Sequence, residues 1–148
     1  MVESTATLDR RRDMVKMDAD LFVNFSGGAP VTPEGILCVE KELGYALPDD
    51  YRQFLRQKNG GEGFIGPNSY LILWPLEQLV SLNLAYEAAR YAPGFLLFGS
   101  NGGGEAYAFN SGLRPMPIVA MPFVGMDPTV SQPIAVGFAG FLQKLFAS

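Results

Sequence analysis

The chain contains no histidine and one cysteine, Cys38, among its 148 residues. Without histidine the usual general base near neutral pH is missing, which excludes Ser-His-Asp and Cys-His nucleophile systems and histidine-containing zinc sites. One thiol cannot form an internal disulfide, a Cys-x-x-Cys redox pair or a multi-cysteine metal site. We therefore expect no metal site and a reducing compartment.

Long apolar runs are missing as well. No stretch approaches the ~20 apolar residues of a membrane-spanning helix, and the start, MVESTATLDRRRDM, lacks the apolar core of a signal peptide. Hydrophobic residues make up 48% of the chain and aromatic residues 12%, and its 148 residues suit one domain with one core. These features predict a soluble, cytoplasmic protein.

Basic residues are too few for a nucleic-acid-binding face, because the net charge is -4 and binding a phosphate backbone requires a basic surface. The basic cluster comprises Arg10, Arg11, Arg12 and Lys16, and it is interleaved with Asp9, Asp13, Asp18 and Asp20. This mixture favours a solvated segment over a nucleic-acid arm. We expect residues 1–20 to be polar and either helical or partly disordered, ahead of one domain over residues 21–148.

Two helices are predicted early in the chain. The first begins at Thr32-Pro33-Glu34, places Ile36, Val39 and Leu43 on one face and stops at Gly44. Cys38 lies off that apolar stripe and is predicted to be partly exposed and unreactive. The second begins at Pro48, gathers Asp49 and Asp50 in its first turn and turns Tyr51, Phe54 and Leu55 to one side.

The ends of that second helix have structural interpretations. Asn59-Gly60-Gly61 is predicted to terminate the second helix. Earlier in the chain, Gly27, Gly28 and Pro30 are predicted to interrupt the apolar stretch of residues 21–25. Asp49 and Asp50 resemble an acid/base pair, but consecutive helical positions point about 100° apart and acids are common in a first turn. We interpret both carboxylates as structural.

The rest of the chain predicts strands, a short helical region and a closing helix. Strands are expected at residues 70–74, 95–98, 105–109, 118–124 and 134–136, with Glu105, Tyr107 and Phe109 on one face of the third. After Pro75 the pattern is helical, where Asn83 either caps a second piece or makes a buried hydrogen bond; a ligand role is the alternative. The closing helix places Phe138, Phe141, Leu142 and Leu145 on one face.

This order of elements predicts an α+β domain with helices packed around a twisted, mainly antiparallel sheet. The regular strand–helix alternation of a doubly wound α/β fold is missing, because the strand at residue 95 is followed directly by another strand.

The segment Ser100-Asn101-Gly102-Gly103-Gly104 could in principle cradle a phosphate with its backbone amides. However, it does not match G-x-G-x-x-G, no Gly-Lys-Ser/Thr follows, and a strand comes after it. Asn101-Gly102 between two strands favours a plain hairpin turn. A rim for partner recognition and a nucleotide loop are the alternatives.

The chain resembles the SUKH superfamily, and within it the domain of the yeast Smi/Knr cell-wall-assembly regulators, over residues 22–145. The residues that carry the resemblance are Glu40, Leu43-Gly44, Leu47-Pro48-Asp49-Asp50-Tyr51, Phe54-Leu55, Asn59-Gly60-Gly61, Leu76, Leu79, Asn83, residues 95–99 and Gly104-Glu105-Ala106-Tyr107-Ala108-Phe109. The resemblance implies an α+β fold and no catalytic activity. Many bacterial members of that superfamily look like immunity proteins, which bind and neutralise a toxin, often a nuclease or deaminase.

We therefore expect a cytoplasmic protein-binding module of the immunity type that has no cofactor. An acidic domain could mask the basic face of a nuclease. The partner-binding residues that we nominate are Asn59, Glu62, Trp74, Asn101 and Glu105. A housekeeping scaffold is the alternative, and an enzyme would have to use two carboxylates, as some glycosidases do, with Glu62 and Glu105 as the candidate pair.

Overall fold

The protein is described here by a computed structural model that covers residues 20–148. Near the start of that range, capping residues set the ends of a helix. Helix α1 (Pro33–Leu43) is capped by Thr32, whose hydroxyl accepts a hydrogen bond from the Gly35 amide at 3.1 Å. It ends at Gly44, which has the left-handed φ of 86°. Both ends of α1 confirm the sequence prediction. The basic cluster from Arg10 to Lys16 lies outside the described residues.

Within residues 20–148, seven strands form one sheet in which every neighbouring pair is antiparallel and the spatial order follows the chain. The strands are β1 (Asn24–Gly28), β2 (Asn59–Ile65), β3 (Ser69–Leu73), β4 (Phe95–Ser100), β5 (Glu105–Asn110), β6 (Ile118–Pro122) and β7 (Gln132–Ala135). The other helices are α2 (Asp49–Leu55), α3 (Leu79–Ala85), α4 (Ala88–Tyr91) and α5 (Phe138–Ala147), with 3-10 turns at Leu76–Gln78 and Pro128–Val130. Residues 20–148 therefore form a single α+β domain, which confirms the predicted fold class.

Two glycine-containing segments that were predicted to be breaks are strands instead. Asn59-Gly60-Gly61 begins β2, and Gly27 and Gly28 end β1. A Cβ on Gly61 would lie 2.6 Å from Cε1 of Phe25, so the missing side chain makes room for the Phe25 ring over β2. Glycine is required here by close packing within a sheet, which a local reading of turn residues does not detect.

The later strands match the predictions with small shifts. The prediction for residues 118–124 extended two residues too far, and β7 begins two residues before the predicted 134–136. Pro133 lies inside β7, and this is tolerated because β7 is an edge strand.

Asn83 lies within α3, so the cap prediction is wrong and the hydrogen-bond prediction is confirmed. Its amide nitrogen donates to the carbonyl oxygens of Leu79 at 2.8 Å and Leu97 at 2.9 Å, and its Oδ1 accepts from the Leu97 amide at 2.9 Å. Since β3 pairs with β4 only at Ser100 and Gly99, the Asn83 side chain occupies the edge of β4 that β3 leaves free. It thereby joins α3 to the sheet.

An aromatic cluster fills the core between α2, α5 and strands β4 and β5. The Tyr51 ring of α2 lies 5.9 Å from Phe98, 5.1 Å from Phe109 and 5.0 Å from Phe138. All four side chains are at most 1% exposed. These rings pack α2 and α5 against one face of β4 and β5. Within residues 20–148 no helix is both long and apolar enough to cross a membrane.

A candidate partner-binding surface

Strands β1 to β3 have one buried face and one exposed face. Phe25, Ile65 and Leu71 are at most 6% exposed and point to the core. The alternating positions are Asn24, Ser26, Glu62, Phe64, Tyr70 and Ile72; the first four are exposed and the last two half-buried. We call these six residues the open face. Their register holds them together, because Ser26 pairs with Glu62, Glu62 with Ile72 and Phe64 with Tyr70.

The centre of the open face is polar and aromatic at once. The Tyr70 hydroxyl donates a hydrogen bond to Oε2 of Glu62 at 2.5 Å. That bond, together with desolvation and the charge of Glu62, raises the pKa of Tyr70. The Phe64 ring, 45% exposed, packs edge-on against Tyr70 with centroids 5.2 Å apart. The three side chains form a fixed surface that offers a carboxylate beside two aromatic rings.

The glycine hairpin between β4 and β5 borders the open face. A Cβ on Gly102 would lie 3.1 Å from Cδ1 of Tyr70, so the hairpin tip lies against that ring. Three amides of the hairpin already have acceptors: Gly102 donates to the Ser100 hydroxyl, and Gly103 and Glu105 donate to Oδ1 of Asn101. Amides that are bound in this way do not cradle a phosphate, so the geometry favours the hairpin turn over a nucleotide loop.

Trp74 belongs to a second aromatic group next to this surface. Only 8% of it is exposed. It stacks on Tyr86 at 5.9 Å and on Phe123 at 6.4 Å, while Tyr86 itself is 41% exposed. Trp74 therefore supports the partly exposed Tyr86 ring, and Trp74 itself has little exposed surface.

The remaining nominated residues have different environments. Asn59 donates to Glu77 at 2.7 Å and accepts from the Leu76 amide at 2.8 Å, so it holds the 3-10 turn against β2.

Glu105 follows the hairpin, one position before Ala106. Ala106 shares a row across the sheet with Ser100, Ile72 and Glu62. Glu105 consequently points to the other face, where burial and then the Glu105 charge raise the pKa of Tyr107.

The opposite orientations of Glu62 and Glu105 argue against the carboxylate pair that an enzyme would need. A glycosidase pair must face one cleft, whereas these two side chains lie on different faces of one sheet. Within residues 20–148 no group of three or more His, Cys, Asp or Glu side chains is arranged to hold a metal ion.

Two grooves flank α2, with volumes of about 390 and 660 Å³, and both are lined by Asp49, Arg52 and Gln53. Their charges are largely satisfied within the protein. Arg52 bonds to Asp49 and lies 3.7 Å from Glu40. The buried Glu40 accepts the Leu47 amide at 2.6 Å. Asp50 accepts the Ala139 amide at 3.0 Å. These contacts join helices, and they are consistent with the structural interpretation of Asp49 and Asp50.

Sequence reasoning nominated Glu62 but missed Phe64, Tyr70 and Tyr86. The signal for Phe64 and Tyr70 is the period-2 alternation of β2 and β3, which places them beside Glu62. Gly61 and Gly63 obscured that alternation, because they occupy the core-facing positions where apolar residues would be expected. Tyr86 has no comparable signal, since only tertiary contacts bring α3 beside Trp74.

Comparison with known proteins gives two findings. The family model described as "SMI1 / KNR4 family (SUKH-1)" matches residues 30–144. The chain is also 34% identical over 70 residues to a protein of Bacillus subtilis (strain 168) named "Uncharacterized protein YnaB". That match covers 47% of this chain and 44% of the relative, so it spans less than half of the relative's length.

Proposed function

Because the chain belongs to the SMI1 / KNR4 family (SUKH-1), we propose that it is a non-catalytic, cytoplasmic protein-binding module of the immunity type. Its partner is a bacterial toxin domain of the nuclease or deaminase class, which it binds and neutralises. The family membership supports the binding role, and the toxin partner is the proposal.

The observation that carries this proposal is the open face. Phe64, which is 45% exposed, and the acidic Glu62 face solvent on one side of a sheet whose other side carries the aromatic cluster around Tyr51. Aromatic side chains are enriched at the centres of protein interfaces and among the residues that dominate binding energy. A rigid sheet also presents them without a large ordering cost.

The acidic character of the chain fits a partner that acts on nucleic acid. Such enzymes carry basic surfaces for the phosphate backbone, and the net charge of this chain is -4. Placing Glu62 against such a surface would block the substrate path and speed association through charge complementarity.

The test is neutralisation of the toxin domains encoded near the gene. Each purified domain is mixed with the tagged full-length chain, and both the Kd and the toxin activity are measured. We expect stoichiometric binding that abolishes activity, and Tyr70→Ala should weaken it by about 2 kcal/mol, or roughly 30-fold. The matched control is Val136→Ala, at a residue 79% exposed and outside the open face.

Two outcomes would contradict the proposal. If no such domain binds while an unrelated cellular protein is retained stoichiometrically, the chain acts as a scaffold. If a toxin domain binds and stays fully active, the interaction is not one of immunity.

A further inference from the structure

Building on the proposed function, we propose that the open face receives an arginine side chain of the partner. The guanidinium would bind the carboxylate of Glu62 and lie against the rings of Tyr70 and Phe64.

Charge points to a cation at this position. Glu62 is the charged residue of the open face, and within residues 20–148 no Lys or Arg forms an ion pair with it. The hydrogen bond that it accepts comes from the Tyr70 hydroxyl and engages Oε2. Among residues 20–148 no donor is bonded to its Oε1, so this oxygen is the atom that we assign to the partner's guanidinium. Asp20, beside Phe64 in a groove of about 400 Å³, adds a second acidic group at this end of the sheet.

The ring geometry favours a flat cation. Tyr70 and Phe64 meet edge to face, with ring planes 77° apart. Glu62 and Phe64 are two residues apart on one strand, which separates them by roughly 7 Å. A cation is attracted to an aromatic face within about 6 Å of its centroid, so one side chain can reach both the carboxylate and a ring.

Arginine suits these contacts better than lysine. Its planar guanidinium stacks on aromatic rings and donates several hydrogen bonds in a fixed fork, whereas the lysine ammonium is compact and strongly hydrated. Recognition of arginine should therefore depend on the rings as well as on the charge.

The probe is fluorescein-labelled nona-arginine, compared with nona-lysine, and binding to the full-length chain is measured by fluorescence anisotropy at low salt. Glu62→Gln should weaken nona-arginine binding by about fivefold or more. Glu42→Gln, which changes the net charge equally at an exposed position of α1, should change it by less than about twofold, as expected for one screened surface charge. Tyr70→Leu should abolish the preference for arginine over lysine.

Equal effects of Glu62→Gln and Glu42→Gln, or equal binding of the two peptides, would overturn the inference. So would an NMR titration that maps nona-arginine to residues away from Glu62, Phe64 and Tyr70. If Glu62→Gln without peptide shifts the side-chain signals of Arg10, Arg11 or Arg12, the chain's own basic cluster occupies this surface and the partner assignment is wrong.

The two proposals fail separately. A toxin domain that Glu62→Gln still binds and neutralises with unchanged Kd would refute the arginine contact and leave the immunity function standing. Specific nona-arginine binding at Glu62 without any neutralised toxin would support the contact and refute the immunity function.

Discussion

At the scale of single residues, several polar side chains complete the fold by bonding to the backbone of other segments of the chain. Asn83 does so for β4, Asn59 for the 3-10 turn at Leu76–Gln78, and Glu40 for the Leu47 amide. Each replaces a backbone partner that the sheet or helix does not supply, so removing it leaves a poorly solvated donor or acceptor.

Asn83→Ala should lower the free energy of unfolding by about 2–3 kcal/mol, because it leaves the amide and carbonyl of the buried Leu97 without their partner. Urea unfolding followed by circular dichroism measures this loss. Asn68→Ala is the control, since the Asn68 side chain makes an exposed 3.3 Å bond to Ser148, and it should cost less than about 0.5 kcal/mol. Equal losses would show that the link between Asn83 and β4 contributes nothing.

At the scale of elements, α5 depends on α2 for its start. Gly137 precedes α5 and supplies no side-chain cap. The carboxylate of Asp50, in the first turn of α2, accepts the Ala139 amide instead. The two helices thus meet through a polar contact at their N-termini as well as through the Tyr51 and Phe54 rings against Phe138.

Asp50→Ala should therefore destabilise the fold by about 1–2 kcal/mol, the usual loss for a helix cap. The neighbouring change Asp49→Ala removes an exposed ion pair with Arg52 and should cost at most about 1 kcal/mol. Thermal unfolding of both variants compares them directly. If Asp49→Ala is the more damaging change, the capping role of Asp50 is wrong.

At the scale of the whole molecule, the sheet separates two environments. One face carries the aromatic cluster around Tyr51 under α2 and α5, and the open face of β1–β3 carries Glu62, Phe64 and Tyr70. Burial raises the pKa of Tyr51 above its ordinary value of 10.0. The free energy of unfolding should consequently depend on pH in the alkaline range.

Stability should fall as pH rises above about 10, by about 1.4 kcal/mol per pH unit from Tyr51 alone. Below that pH both states keep the Tyr51 proton, whereas above it the unfolded chain releases the proton and the folded chain retains it. Urea unfolding at pH 8, 10 and 11 checks the slope. Tyr51→Phe should make the slope shallower. An unaltered slope in Tyr51→Phe would contradict this linkage.

The sequence by itself determined the elements whose signals are local. Thr32 and Gly44 bound α1, the apolar period marks α5, and Asn101-Gly102 forms the hairpin. These followed from capping, periodicity and turn chemistry, which act within a few residues. The α+β class followed from the order of those elements.

The tertiary structure decided what depends on partners distant in the chain. It made strands of the glycine segments because β1 and β2 pair there, and β1 approaches Gly61 so closely that an added Cβ would clash with the Ser26 carbonyl oxygen. It placed the Glu105 side chain on the face of the sheet opposite to Glu62, because adjacent positions of a strand face opposite ways. It also brought Tyr70 beside Glu62 and Phe64, since that contact exists only through the β2–β3 register. Register is a property of paired strands that neither strand carries alone.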